Sequence, residues 1–118
     1  MRGYYSAKLS GDRLLKCYEV APARVQQYLE AEITFVLSRL RPSDSVLELG
    51  CGYGRVAFRL SEVAERVVGI DTAPESLALA RQLAGADSRC EFQLMDASAL
   101  RFGDQVFDIV VCIQSCFS

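Results

Sequence analysis

An acid and three alternate glycines, Glu48-Leu49-Gly50-Cys51-Gly52-Tyr53-Gly54, close a short apolar run that begins at Val46. Glycine lets a turn be tight and lets a ligand reach the main chain without meeting a Cβ. A helix opening near Arg55 would aim its free N–H groups into the loop. Such a stretch predicts a pocket built largely from backbone, with a nucleotide-like cofactor as its natural occupant.

Two cofactor chemistries compete for that pocket. Gly52-x-Gly54-x-x-Ala57 matches part of the dinucleotide fingerprint, in which a pyrophosphate rests on the helix N-terminus. Glu48 opposes this reading, because it stands where the strand hands over to the loop. Like unit charges about 4 Å apart repel by roughly 4 kcal/mol at an effective dielectric of about 20. The same carboxylate suits a ligand that carries an ammonium and a sulfonium but no phosphate. The electrostatics favour S-adenosylmethionine over NAD(P).

Further acids follow at the ends of later apolar runs. Asp71 closes Val67-Val68-Gly69-Ile70-Asp71, 17 residues after Gly54, close to the roughly 20 of a ribose-binding acid behind a glycine loop. Two vicinal hydroxyls on a carboxylate make two charge-assisted hydrogen bonds. Asp96-Ala97 follows Phe92-Gln93-Leu94-Met95, and Cys112 lies in the run Ile109-Val110-Val111-Cys112-Ile113. Asp108 opens that last run, at the opposite end from the ligand, and reads as structural. Thr72 stands beside Asp71 in the candidate site and begins Thr72-x-x-Glu75, the spacing of a capping box.

Glu48-x-Gly50-x-Gly52-x-Gly54 resembles the first motif of the class I S-adenosylmethionine-dependent methyltransferases, and the three later runs resemble that family's second, third and fourth strands in order. The resemblance covers about Val46 to the end. It implies that Asp71 binds the ribose hydroxyls and that Asp96 and Ala97 meet the adenine. Glu48, Gly50, Cys51, Gly52, Gly54, Thr72 and Cys112 complete the cofactor site it implies, with no catalytic residue assigned. Family members continue with three further strands, so the resemblance also implies the cofactor-binding half of a longer protein, or a truncated product. Tyr4, Tyr5, Tyr18 and Arg24 fall in the segment that in this family often lids the cofactor; they read equally well as packing residues.

The elements that must position these residues form an alternating series. The chain has 118 residues, 51% hydrophobic and 24% charged, the composition of one globular unit. A short helix is expected over about Asp12–Glu19. From Ala23 to Leu40, Val25, Tyr28, Leu29, Ile33, Val36, Leu37 and Leu40 recur at helical spacing. Then come strand 45–49, helix 54–64, strand 66–71, a helix with Pro74 in its first turn that runs to about Ala84, a third strand ending near Asp96, loop 97–105 anchored by Leu100 and Phe102, and strand 106–113. Strand–helix alternation predicts a Rossmann-like, doubly wound parallel sheet in the order 3-2-1-4, preceded by N-terminal helices. Its division is residues 1–44, the helical segment, and 45–118, the cofactor-binding half-domain. Ligands of such sheets sit at the carboxyl ends of the strands, where Glu48, Asp71, Asp96 and Cys112 converge.

Composition narrows the functional classes. Thirteen basic and fifteen acidic residues, net charge −2, lack the basic face of a general nucleic-acid binder. No apolar run reaches the length of a membrane span and the N-terminus carries no signal-peptide pattern. Five scattered cysteines, with no CxxC pair, read as reduced, buried thiols and a cytoplasmic protein. The chain has no histidine, which removes imidazole bases, Ser-His-Asp triads and His-containing zinc sites. Cys112-x-x-x-Cys116 supplies two thiols where zinc takes four ligands, and no metal is expected.

The expected activity is methyl transfer to a small molecule, which needs in-line alignment more than a catalytic base. An NAD(P)-dependent oxidoreductase and a non-catalytic cofactor-binding module are the alternatives. The fourth strand, continuously apolar and with no partner for its outer edge, is expected to promote self-association.

Overall fold

The computed structural model describes residues 23–86, 88–103 and 106–113. The helix expected at Asp12–Glu19, with Tyr4, Tyr5, Tyr18 and Cys116, lies outside them. Helix α1 (Ala23–Leu37) leads to β1 (Ser45–Leu49), α2 (Arg55–Leu60), β2 (Arg66–Asp71), α3 (Pro74–Ala84), β3 (Cys90–Leu94) and β4 (Ile109–Val111). The strands form one parallel sheet in the order β3-β2-β1-β4, as the alternation predicts.

Strand alternation sorts the core into two layers. Val46, Val67, Cys90, Phe92 and Val111 point to the face covered by Ile33, Leu40, Val56, Ala57, Leu60 and Leu77. Leu47, Val68, Ile70 and Met95 point the other way, against Phe102 and Phe107 of the segment that precedes β4. Those two rings meet edge-on, with centroids 4.9 Å apart. Phe102 therefore anchors the loop as expected, whereas Leu100 is exposed. Both faces of the central strands are buried, which is why β1 and β2 read as nearly unbroken apolar runs.

Four local expectations need correction. In α1, Leu29 and Ile33 are buried but Tyr28 is 63% exposed. A three-or-four-residue spacing admits two adjacent stripes, and Tyr28 belongs to the outer one with Phe35, 59% exposed. The helix after the glycine loop is regular only to Leu60, then tightens through the Val63 and Ala64 N–H bonds to the Leu60 carbonyl. The N-cap of α3 is Ala73, one residue after the Thr72 to which the capping-box spacing points. Pro74 excludes the helical conformation from the residue before it, so Ala73 is extended (φ −100°, ψ 104°) and the helix starts one residue late. Finally, β4 pairs only over Ile109–Val111. Asp108 fastens its start, accepting the Ser45 N–H at 2.8 Å through Oδ2 and donating its own N–H to the Ser45 carbonyl at 2.8 Å. That agrees with the structural reading of Asp108.

Candidate functional site

The glycine loop leaves β1 after Leu49 and takes three left-handed steps, Gly50 at φ 69°, Gly52 at 58° and Gly54 at 95°. Residues with a Cβ rarely adopt these angles. At Gly54 a Cβ would also lie 2.9 Å from Phe92 Cζ, so this glycine serves the packing beneath the loop. At Gly50 an added Cβ would meet nothing within 4 Å. The loop is therefore tight on its core side and open above Gly50, the form of a cradle for a ligand.

The end of β2 holds the loop in place. The Cys51 N–H donates to the Ile70 carbonyl at 3.0 Å, and the Gly52 N–H donates to Asp71 Oδ2 at 2.8 Å. Asp71 Oδ1 accepts the Ala73 N–H at 2.9 Å, and the Asp71 carbonyl accepts the Met95 N–H at 3.1 Å. One residue thus ties together the exits of β1, β2 and β3. A carboxylate offers about four acceptor positions, so two backbone bonds leave it able to accept ribose hydroxyls.

Glu48 lies under the loop, 2% exposed, beside Gly69 in the parallel register. Burial pushes its carboxyl up to about 8; the Arg55 guanidinium and the Ala57 amide pull it down, and Asp71 pushes it up further. Its Oε1 has no hydrogen-bond partner among the described residues. Cys51 is buried too, and desolvation with the nearby Glu48 carboxylate pushes its thiol well up, away from nucleophilic use.

Asp96 follows β3 and accepts both the N–H and the hydroxyl of Ser98 through Oδ1, at 2.8 and 2.7 Å. Ala97 is exposed next to it, and Thr72 is half-buried next to Asp71. Cys112 departs from its expected surroundings: this strand-end thiol is exposed and lines the groove between β4 and α1. Among the described residues β4 is the edge strand of the sheet. The structure brings the glycine loop, Asp71 and Glu48 into direct register and sets Asp96 and Cys112 past the carboxyl ends of the flanking strands.

Gly69 was not legible as a site residue. A Cβ there would stand 2.7 Å from Cys51 Cβ and 3.2 Å from Phe92 Cδ1. Its bare backbone makes room for the loop to fold down on β2. A glycine inside an apolar strand is the signal of such a close approach. Gly69→Ala is expected to destabilise the fold by about 1 to 3 kcal/mol, the usual cost of overpacking. Urea denaturation checks this, and an unchanged midpoint would mean that the loop yields freely.

The methyltransferase domain family matches residues 46–118. Over 114 residues the chain is 29% identical to 2-methyl-6-phytyl-1,4-hydroquinone methyltransferase of Synechocystis, a match covering 89% of this chain and 36% of that protein. It is 43% identical over 70 residues to demethylmenaquinone methyltransferase of Deinococcus radiodurans, covering 57% of this chain and 29% of the relative. The crystal structure of an S-adenosylmethionine-dependent methyltransferase from Methanosarcina mazei superposes with a TM-score of 0.58 and 31% identity, over 64% of this chain and 39% of that one. The chain spans about a third of the length of these proteins.

Proposed function

Because this chain belongs to the class I S-adenosylmethionine-dependent methyltransferase family, we propose that it binds that cofactor in the loop of Gly50, Gly52 and Gly54 and serves methyl transfer to a small molecule. The observation that carries the reading is the Asp71 carboxylate bonded to the Gly52 amide beneath a cradle open above Gly50. When bound, the cofactor supplies a methyl group on a sulfonium, which leaves as a neutral thioether.

The chain's own residues do the holding. Asp71 accepts the ribose hydroxyls, and Gly50 admits the amino-acid end close to the main chain. Asp96 and Ala97 border the adenine; Thr72, Cys51 and Cys112 complete the surroundings. The Glu48 carboxyl, held at about 8, is neutral at pH 7 and does not repel a pyrophosphate; NAD(P) is disfavoured by the family match instead. Within this reading, residues 45–118 are the cofactor-binding half-domain and residues 1–44 the helical segment before it. Relatives named for a phytyl hydroquinone and for demethylmenaquinone support a small-molecule acceptor. The net charge of −2 supports the absence of nucleic acid among its partners. The free, buried thiols of Cys51 and Cys90 support a reducing, cytoplasmic setting. No helix among the described residues is long and apolar enough to cross a membrane. Self-association through the open edge of β4 completes the reading.

Calorimetric titration with S-adenosylhomocysteine and with NADH tests the cofactor. Binding of the first without the second is expected; the reverse result would overturn the reading.

A further inference from the structure

We infer that Glu48 is a specificity residue that reads the charge on the cofactor's sulfur through a proton. Its carboxyl gives a proton to solvent when the sulfonium form fills the loop and takes one back when the uncharged thioether replaces it. This rests on the cofactor reading above and adds to it a means of telling S-adenosylmethionine from S-adenosylhomocysteine.

Glu48 stands in register with Gly69 of β2 and Val111 of β4, neither of which offers it a polar side chain. It is 2% exposed, and although the Ala57 amide serves the carboxyl, Oε1 finds no hydrogen-bond partner among the described residues. A buried carboxylate that stays charged needs donors on both oxygens. Here the site is finished for an acid and only half-finished for an anion.

The charges that face the carboxyl cancel. From α2 the Arg55 guanidinium favours the ionised form, and from the end of β2 Asp71 opposes it. From the loop and from β3 come the thiols of Cys51 and Cys90, both pushed up by burial and further by Glu48, and so uncharged at neutral pH. On this side of the sheet α1 contributes Ile33 and Leu40, and β4 contributes Val111, none of them charged. With one plus and one minus around it, desolvation decides and holds the group at about 8. One further charge is enough to tip such a balance.

The loop above Glu48 is where that charge arrives, since Gly50 lies two residues on and is open above. S-adenosylmethionine and S-adenosylhomocysteine share their ammonium, carboxylate and adenosine. Whatever those groups do to Glu48 they do in both complexes, so the sulfonium alone makes the difference. An opposite charge nearby weakens a carboxyl's hold on its proton tenfold or more. A tenfold weakening releases about 0.4 of a proton at pH 7 and raises the preference for the sulfonium form about fivefold from pH 6 to pH 8.

Calorimetric titration of the 118-residue chain with each ligand, at pH 7 in buffers of different ionisation enthalpy, counts the protons released. S-adenosylmethionine is expected to release about 0.4 of a proton more per site than S-adenosylhomocysteine. Glu48→Gln should abolish that difference, because the ligands' own amino groups titrate alike in both proteins; circular dichroism confirms that the variant folds. Carbon-13 NMR of the glutamate carboxyls needs no variant. In the parent, Glu48 should titrate at a pH lower by about one or more with S-adenosylmethionine bound than with S-adenosylhomocysteine bound. Equal proton release by the two ligands overturns the inference and leaves the cofactor reading standing, as does a difference that persists in Glu48→Gln. Binding of neither ligand overturns the cofactor reading, and this inference with it.

Discussion

Asp71→Ala is expected to lose roughly 2 to 4 kcal/mol of S-adenosylhomocysteine affinity, from two charge-assisted hydrogen bonds to the ribose. The structure adds a second loss. The same carboxylate accepts the Gly52 and Ala73 amides at 2.8 and 2.9 Å, so removing it leaves two partly buried donors without their acceptor. Each such orphan costs about 1 to 3 kcal/mol. Calorimetry should show weakened binding, and a thermal melt of the ligand-free protein should show a lowered midpoint. Weakened binding with an unchanged melt would mean that water replaces the carboxylate at Gly52. Unchanged binding would remove Asp71 from the pocket altogether.

The second large effect is a dependence of stability on pH. Desolvation holds the Glu48 carboxyl at about 8, against an ordinary 4.5. Between those values the folded chain keeps a proton that the unfolded chain has released. The contribution is therefore fully present below the unfolded value and is lost as pH rises through the folded one. At about 1.4 kcal/mol per unit, the span corresponds to roughly 5 kcal/mol. Urea midpoints of the parent, minus those of Glu48→Gln, should fall steadily from about pH 4.5 to about pH 8, since the amide keeps the shape and does not titrate. A flat difference would show that Arg55 and the Ala57 amide keep Glu48 ionised throughout.

The parts of the site that could be read from residue types are those where one residue type meets one backbone need. Gly50, Gly52 and Gly54 occupy left-handed angles, and a glycine run behind an apolar strand announces such a turn. The four-strand order was legible because alternating runs permit few topologies. What escaped depended on neighbours distant in sequence. Gly69 is small because Cys51 folds onto it; a glycine within strand 66–71 signals a close approach but not which residue makes it. The cap of α3 was misplaced by one residue because Pro74 acts on the residue before it, a stronger constraint than the Thr72–Glu75 spacing. Tyr28 looked like core because helical spacing does not separate an inner stripe from its neighbour. Only the packed structure distinguishes them.

The backbone bonds of Asp71, beside the ribose role proposed for it, have an evolutionary consequence. They are needed in every folded copy, whether or not a cofactor is present. Folding therefore filters changes at this position before catalysis does. A descendant that gave up the proposed methyl transfer would still be held to an acid at position 71 for as long as its glycine loop had to be tethered. The outward signature of the family would outlast its chemistry, and drift would first erase positions that touch only the ligand.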